Sequence, residues 1–222
     1  MTALSSAATN VPLGFVPLEA RYSKGLDKLI VTASNPNTLK IIDPFTASTN
    51  TVLLPTAVKA IKLSPDGKLA AVLHEGVLTL VDLKAAILIR STSTQGSQTD
   101  VFVTNTGMVY LIGQSGGQWV DQAFSVLDGR TGVNHSASLG MGAWFFYGTQ
   151  HGIYAPRKNK VFLVESGLSP VDIKFFGINP STGAVSGAVV HVQRQLFSYR
   201  YAEVRRQIHA HRLAAGDEPY LG

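Results

Sequence analysis

No cysteine occurs among the 222 residues, which excludes disulfides, thiolate nucleophiles and every cysteine-based metal site. Charge is scarce as well. Asp, Glu, Lys and Arg make up 15% of the chain, against about 25% in ordinary soluble domains, which leaves little material for charged helix faces. No apolar run approaches the ~20 residues a membrane helix needs, so no membrane span is expected. The first basic residue is Arg21, and nothing before it has the apolar core of a signal peptide, so this chain is read as carrying no export signal. What the chain has in quantity is 21 Gly and 10 Pro, the supply that many short strands joined by tight turns require.

Those strands and turns recur. An apolar segment appears four times, as Lys28-Leu-Ile-Val-Thr-Ala33, Lys68-Leu-Ala-Ala-Val-Leu73, Gly107-Met-Val-Tyr-Leu-Ile112 and Lys160-Val-Phe-Leu-Val-Glu165. Each is followed by a second segment closing on a polar residue, at Leu39–Asp43, Leu78–Asp82, Phe124–Asp128 and Phe175–Asn179. The second segments alternate with the period of two that marks a strand. After them come Asp43-Pro-Phe-Thr, Asp128-Gly-Arg-Thr-Gly132 and Asn179-Pro-Ser-Thr-Gly183, where the Asp or Asn side chain accepts from nearby backbone N–H groups and Gly supplies a positive φ. Asp82-Leu-Lys-Ala85 keeps only the first part of that pattern.

Successive repeats start 40, 39 and 53 residues apart, at 28, 68, 107 and 160. The first two intervals match the ~40–50 residues of a propeller blade. The third is lengthened by Gln114–Asp121 and Gly140–Gly148, insertions of the kind that map to surface loops. The expected fold class is therefore all-β: a β-propeller-like array of about four four-stranded blades, at approximately 14–54, 58–91, 99–138 and 149–193. Residues 1–13 are read as an N-terminal extension. Residues 194–222 form a basic tail in which the turn residues vanish. Tyr201, Val204, Ile208 and His211 there make a helical stripe, and a short C-terminal helix is expected.

On these motifs the chain resembles a known group. Ile61-Lys-Leu-Ser-Pro-Asp-Gly-Lys-Leu-Ala70, followed by a strand ending in Asp, is similar to the YVTN/WD-repeat-like bacterial β-propeller superfamily. Glu165-Ser-Gly-Leu-Ser-Pro-Val-Asp-Ile-Lys174 resembles propeller regions of large secreted bacterial proteins. The resemblance covers residues 14–193 and implies a fold and a secreted or cell-surface origin, but hardly an activity. The true WD-repeat signature of Gly-His and Trp-Asp is missing. Because such propellers have six to eight blades, four repeats and an unrelated tail favour an incomplete propeller over a small closed ring.

The chemistry-bearing residues offer no constellation. His74, His135, His151 and His191 fall at different repeat positions, and His209 and His211 diverge on the helix expected there. Asp43, Asp82 and Asp128 are turn residues. Glu19 lies on the first innermost strand, where calcium-dependent lactonase-type propellers gather oxygen ligands, but Lys59, Lys62, Val101, Val103, Ile153 and Tyr154 supply no matching set. The five Arg of residues 194–212 stand against Glu203 alone, a solvated basic segment without a nucleic-acid-binding fold around it. The aromatics of the insertions remain: Trp119 among Gly, Gln and Ser, and Trp144 and Tyr147 in Trp-Phe-Phe-Tyr. An aromatic face beside amides suits a sugar or peptide contact; the alternative is that these rings fill gaps between blades. The leading reading is a non-enzymatic binding module for a protein or carbohydrate ligand, with no cofactor. A metal-dependent lactonase or hydrolase centred on Glu19 is the second reading, and a truncated propeller without independent activity the third.

Overall fold

The computed structural model describes residues 12–94, 98–113, 124–136, 150–165 and 173–186. These residues form four antiparallel sheets, each of four strands hydrogen-bonded in chain order. Blade 1 is β1 (Pro17–Ser23), β2 (Lys28–Ala33), β3 (Thr38–Ile42) and β4 (Thr49–Leu53). Blade 2 is β5 (Val58–Leu63), β6 (Leu69–His74), β7 (Val77–Asp82) and β8 (Ile87–Ser93). Blade 3 is β9 (Gln98–Val103), β10 (Met108–Gly113), β11 (Phe124–Asp128) and β12 (Asn134–Ser136). Blade 4 is β13 (Gln150–Ala155), β14 (Lys160–Glu165), β15 (Ile173–Ile178) and β16 (Val185–Ser186). The four-blade, all-β expectation holds. The helix expected in the tail lies outside the described residues.

The turns explain why each sheet folds back on itself. Asp43 Oδ1 accepts the N–H groups of Phe45 and Thr46 at 2.8 and 3.0 Å. Asp128 does the same for Arg130 and Thr131, and Asn179 for Ser181 and Thr182. Asp82 is no exception, since its Oδ1 takes Lys84 and Ala85, both at 2.9 Å. Four residues beyond each anchor the backbone is left-handed, at Ala47 (φ 58°), Ala86 (φ 56°), Gly132 (φ 82°) and Gly183 (φ 76°). The Asp82 turn is therefore complete, with Ala86 in the place glycine takes in blades 3 and 4. The side-chain anchor holds the geometry although alanine disfavours it.

The apolar side chains meet between sheets. Ile30, Leu39, Ile41 and Val52 of blade 1 pack on Ile61, Ala70, Val72 and Val81 of blade 2. Leu69, Ala71, Leu73 and Leu80 of blade 2 pack on Val101, Val109, Leu111 and Leu127 of blade 3. Phe102, Tyr110, Ile112 and Val126 of blade 3 pack on Val161, Leu163, Phe176 and Ile178 of blade 4. Successive blades thus share three seams, each a two-layer core of the kind that a half-buried strand pattern requires. The strands β2, β3, β6, β7 and β10 in the middle of the sheets are mostly buried on both faces.

Candidate functional site

The antiparallel order divides the connections between two rims. On one rim every described turn is short, and several are stitched to the next blade. Ser23 Oγ donates to the Gly67 carbonyl at 2.6 Å. The Asp66 N–H donates to Asn105 Oδ1 at 2.9 Å, and Thr104 Oγ1 to the Pro180 carbonyl at 3.1 Å. Arg90 Nε donates to the Arg130 carbonyl at 2.8 Å. The polar groups of this rim hold blades together and leave little for a ligand.

The other rim differs. It receives the ends of β10 and β14, the starts of β11 and β15, and every link from one blade to the next. In blades 1 and 2 these connections are short. In blades 3 and 4 the strand ends on this rim are joined by the longer segments 114–123, 137–149 and 166–172. Trp119 belongs to the first of these segments, and Trp144 and Tyr147 to the second; all three lie outside the described residues. What is fixed is where the segments are tied. Ile112 pairs with Phe124, Gly113 with Gln98, and Gln150 with Glu165, so the strand ends that flank the two aromatic-bearing insertions lie on this rim.

The innermost strands run in the order β1, β5, β9, β13 and carry a repeated electrostatic contact. The Ile61 N–H donates to Glu19 Oε2 at 3.2 Å. The Gly152 N–H donates to Asp100 Oδ2 at 3.0 Å. By strand pairing Glu19 and Asp100 occupy equivalent positions, as do Ile61 and Gly152. Each carboxylate accepts from the next blade's inner strand, so it is a latch across a seam. Blade 2 has Ala60 at that position. There Asp100 Oδ1 takes its own neighbour's N–H, from Val101 at 2.8 Å, and pairs with Lys62 Nζ of blade 2 at 3.4 Å. Glu19 is further paired with Arg21, and Lys59 with Glu75.

Glu19 therefore stands where the innermost strand was expected, engaged by Arg21 and Ile61. Among the described residues no three His, Cys, Asp or Glu side chains gather around a common point. His74 closes β6 and is 1% exposed. Its Nδ1 faces the Ala57 carbonyl at 3.0 Å, and its Nε2 faces Thr79 Oγ1 at 3.1 Å. Since a carbonyl only accepts, Nδ1 carries the proton and the Thr79 hydroxyl donates to Nε2. Burial holds this imidazole below its ordinary pKa, against the pull of the carbonyl. Asp100 was missed in the sequence, where the inner strand was read from Val101 and Val103. An acid at the same place relative to the second strand as Glu19 was the available signal.

Neither a family model nor a curated protein matches the sequence. Solved structures are similar in fold. Regucalcin from Agrobacterium tumefaciens, a calcium-binding protein, superimposes with TM-score 0.52 at 11% identity, over 81% of this chain and 61% of that one. A functionally unknown protein from Desulfotomaculum acetoxidans gives 0.57 at 14%, over 81% and 57%. The dihydro-heme d1 dehydrogenase NirN gives 0.51 at 9%, over 81% and 39%. This chain spans between 39% and 61% of the length of these structures. At such identities the likeness is one of architecture, and the fold is a β-propeller array.

Proposed function

We propose that the chain is a non-enzymatic propeller module of the YVTN type that binds a protein or carbohydrate ligand on its insertion-bearing rim, with Trp119, Trp144 and Tyr147 as contact residues. The observation that carries this reading is the asymmetry of the rims. One carries the blade-to-blade hydrogen bonds, while the strand ends that flank both aromatic insertions lie on the other. The acids that could support the lactonase reading already serve structure: Asp43, Asp82 and Asp128 anchor turns, and Glu19 and Asp100 latch seams. In this reading residues 14–193 form the binding unit, residues 1–13 and 194–222 are dispensable for it, and the parent protein is secreted.

A glycan array and a peptide array identify the ligand, and Trp119→Ala and Trp144→Ala then test the site. A contact role predicts at least tenfold weaker binding, the scale of an aromatic hot spot, with the melting temperature unchanged. A loss of stability of several kcal/mol, the scale of core truncation, would assign these rings to packing instead. Calcium in the same thermal-shift experiment separates the second reading. With Glu19 held by Arg21 and the Ile61 N–H, calcium is expected to leave the midpoint where it is. An upward shift that Glu19→Gln abolishes would favour the lactonase reading.

A further inference from the structure

The three seams are built from equivalent rows of side chains, and among the described residues each end of the array presents one such row with no blade against it. Strand pairing aligns Arg21–Ile30–Ile41 in blade 1, Lys62–Ala71–Leu80 in blade 2, Phe102–Tyr110–Val126 in blade 3 and Ile153–Phe162–Phe175 in blade 4. These rows face the following blade. Tyr110 and Val126 are fully buried, and Phe102 is 4% exposed. In blade 4 the same positions are open: Ile153 is 60% exposed, and Phe162 and Phe175 are only half-buried.

The opposite rows, which face the preceding blade, show the contrast on the two inner strands. Val103–Val109–Leu127 and Tyr154–Val161–Phe176 are the rows in blades 3 and 4, and Tyr22–Leu29–Ile42 is the row in blade 1. Val103 is 1% exposed, whereas Tyr22 is 54% exposed and Leu29 is half-buried; Ile42, at the far end of the row, is 6% exposed. Leu53, on the same face of blade 1, is 69% exposed. Within the chain, Phe102 of blade 3 stacks on Tyr154 of blade 4 with ring centroids 5.7 Å apart. The corresponding pair at the two ends is Ile153 and Tyr22, both exposed.

We infer that two copies of the chain join head to tail, blade 4 of each against blade 1 of the other, closing an eight-bladed ring through two identical seams. The occupant is argued by continuity. A face of the blade 4 type is covered three times in this molecule, each time by a face of the blade 1 type, and among the described residues one example of each has no blade against it. Two copies satisfy both faces of both chains, and four blades plus four lies within the four-to-eight range of closed propellers. A heterologous contact that closes makes a ring, and one that does not makes a filament.

The absence of cysteine makes the test clean. In the full-length double variant Tyr22→Cys, Ile153→Cys, a short thiol–thiol cross-linker is expected to give a covalent dimer. Light scattering on the unmodified chain is expected to give twice the monomer mass. Either single variant should yield no cross-linked dimer, because the two faces differ. Phe162→Glu is expected to weaken association at least tenfold while leaving the β-sheet circular dichroism unchanged. If Phe162→Glu unfolds, the cross-linking result still decides. A cross-link within one chain would show a four-bladed ring closing on itself. A monomer at tens of micromolar without cross-linking, a ladder of higher species, or a dimer from Ile153→Cys alone would each overturn the inference.

Discussion

Asp100 is 4% exposed and accepts two backbone N–H groups besides pairing with Lys62. An amide there presents N–H₂ to one of those donors, leaving a buried group unsatisfied. Asp100→Asn is therefore expected to cost about 2–3 kcal/mol in urea unfolding. Glu19→Gln keeps an oxygen for the Ile61 N–H in a more open setting, and should change stability by less than about 1 kcal/mol. Equal losses would show that the deeper burial of Asp100 and its second backbone donor do not set the cost. His74 sets the response to acid. Its neutral form is favoured in the fold, whereas in the unfolded chain it titrates near 6.5. Its contribution is whole above that pH and is lost as pH falls from there toward the lower folded value. The melting temperature should therefore drop between pH 7.5 and 5.5, and His74→Gln, which keeps hydrogen-bonding groups but does not titrate, should flatten that drop. Asp43 adds a separate acid limit: Lys28 and the Thr46 and Phe45 N–H groups hold its carboxyl well below the usual range, so its contribution is lost only below about pH 4.

At the scale of the element, the strands were legible because each carries its own alternation and its own punctuating turn. The Asp82 turn was not fully legible, because Ala86 lacks the glycine that announces a left-handed residue. The anchoring carboxylate imposes that conformation from outside the position. Ala47, exposed and at φ 58°, shows what alanine costs there. Ala47→Gly relieves the clash of Cβ with the carbonyl, and is expected to raise stability by about 0.5–1 kcal/mol, less the entropy glycine adds to the unfolded chain. Gly25 makes the opposite case. A Cβ on it would lie 1.8 Å from the Asp66 carbonyl oxygen of the next blade's turn, and that oxygen belongs to backbone that cannot swing away. Gly25→Ala should separate the two turns and cost about 1–3 kcal/mol, as overpacking does. Nothing in the local sequence marks Gly25 as different from any other turn glycine, since the constraint comes from a turn some forty positions away. Asp100 escaped notice for the same reason: besides the Val101 N–H, its partners Gly152 and Lys62 are on other blades.

At the scale of the whole molecule, the number of blades followed from the repeat, but the seams did not. Which face of a blade meets which neighbour is decided by the twist and order of the sheets. The candidate site was legible to the same degree. Insertions at residues 114–123 and 137–149 could be seen in the spacing, whereas their attachment to one rim required the strand order. The array also has an energetic consequence. Blades 2 and 3 have a seam on both sides, and blades 1 and 4 have one seam each among the described residues. In a repeat array stability is roughly the sum of each unit's own contribution and its nearest-neighbour seams, so the ends should open before the middle. Amide hydrogen exchange is expected to be slowest in β6, β7 and β10 and fastest in β15 and β16 of blade 4, where the row of Phe162 and Phe175 is half-covered. If two copies close the ring, raising the protein concentration should slow exchange in β2 and β14 and leave β6 unaffected, because only the end blades gain a neighbour. Exchange that is uniform along the chain at every concentration would mean that the blades unfold as one unit.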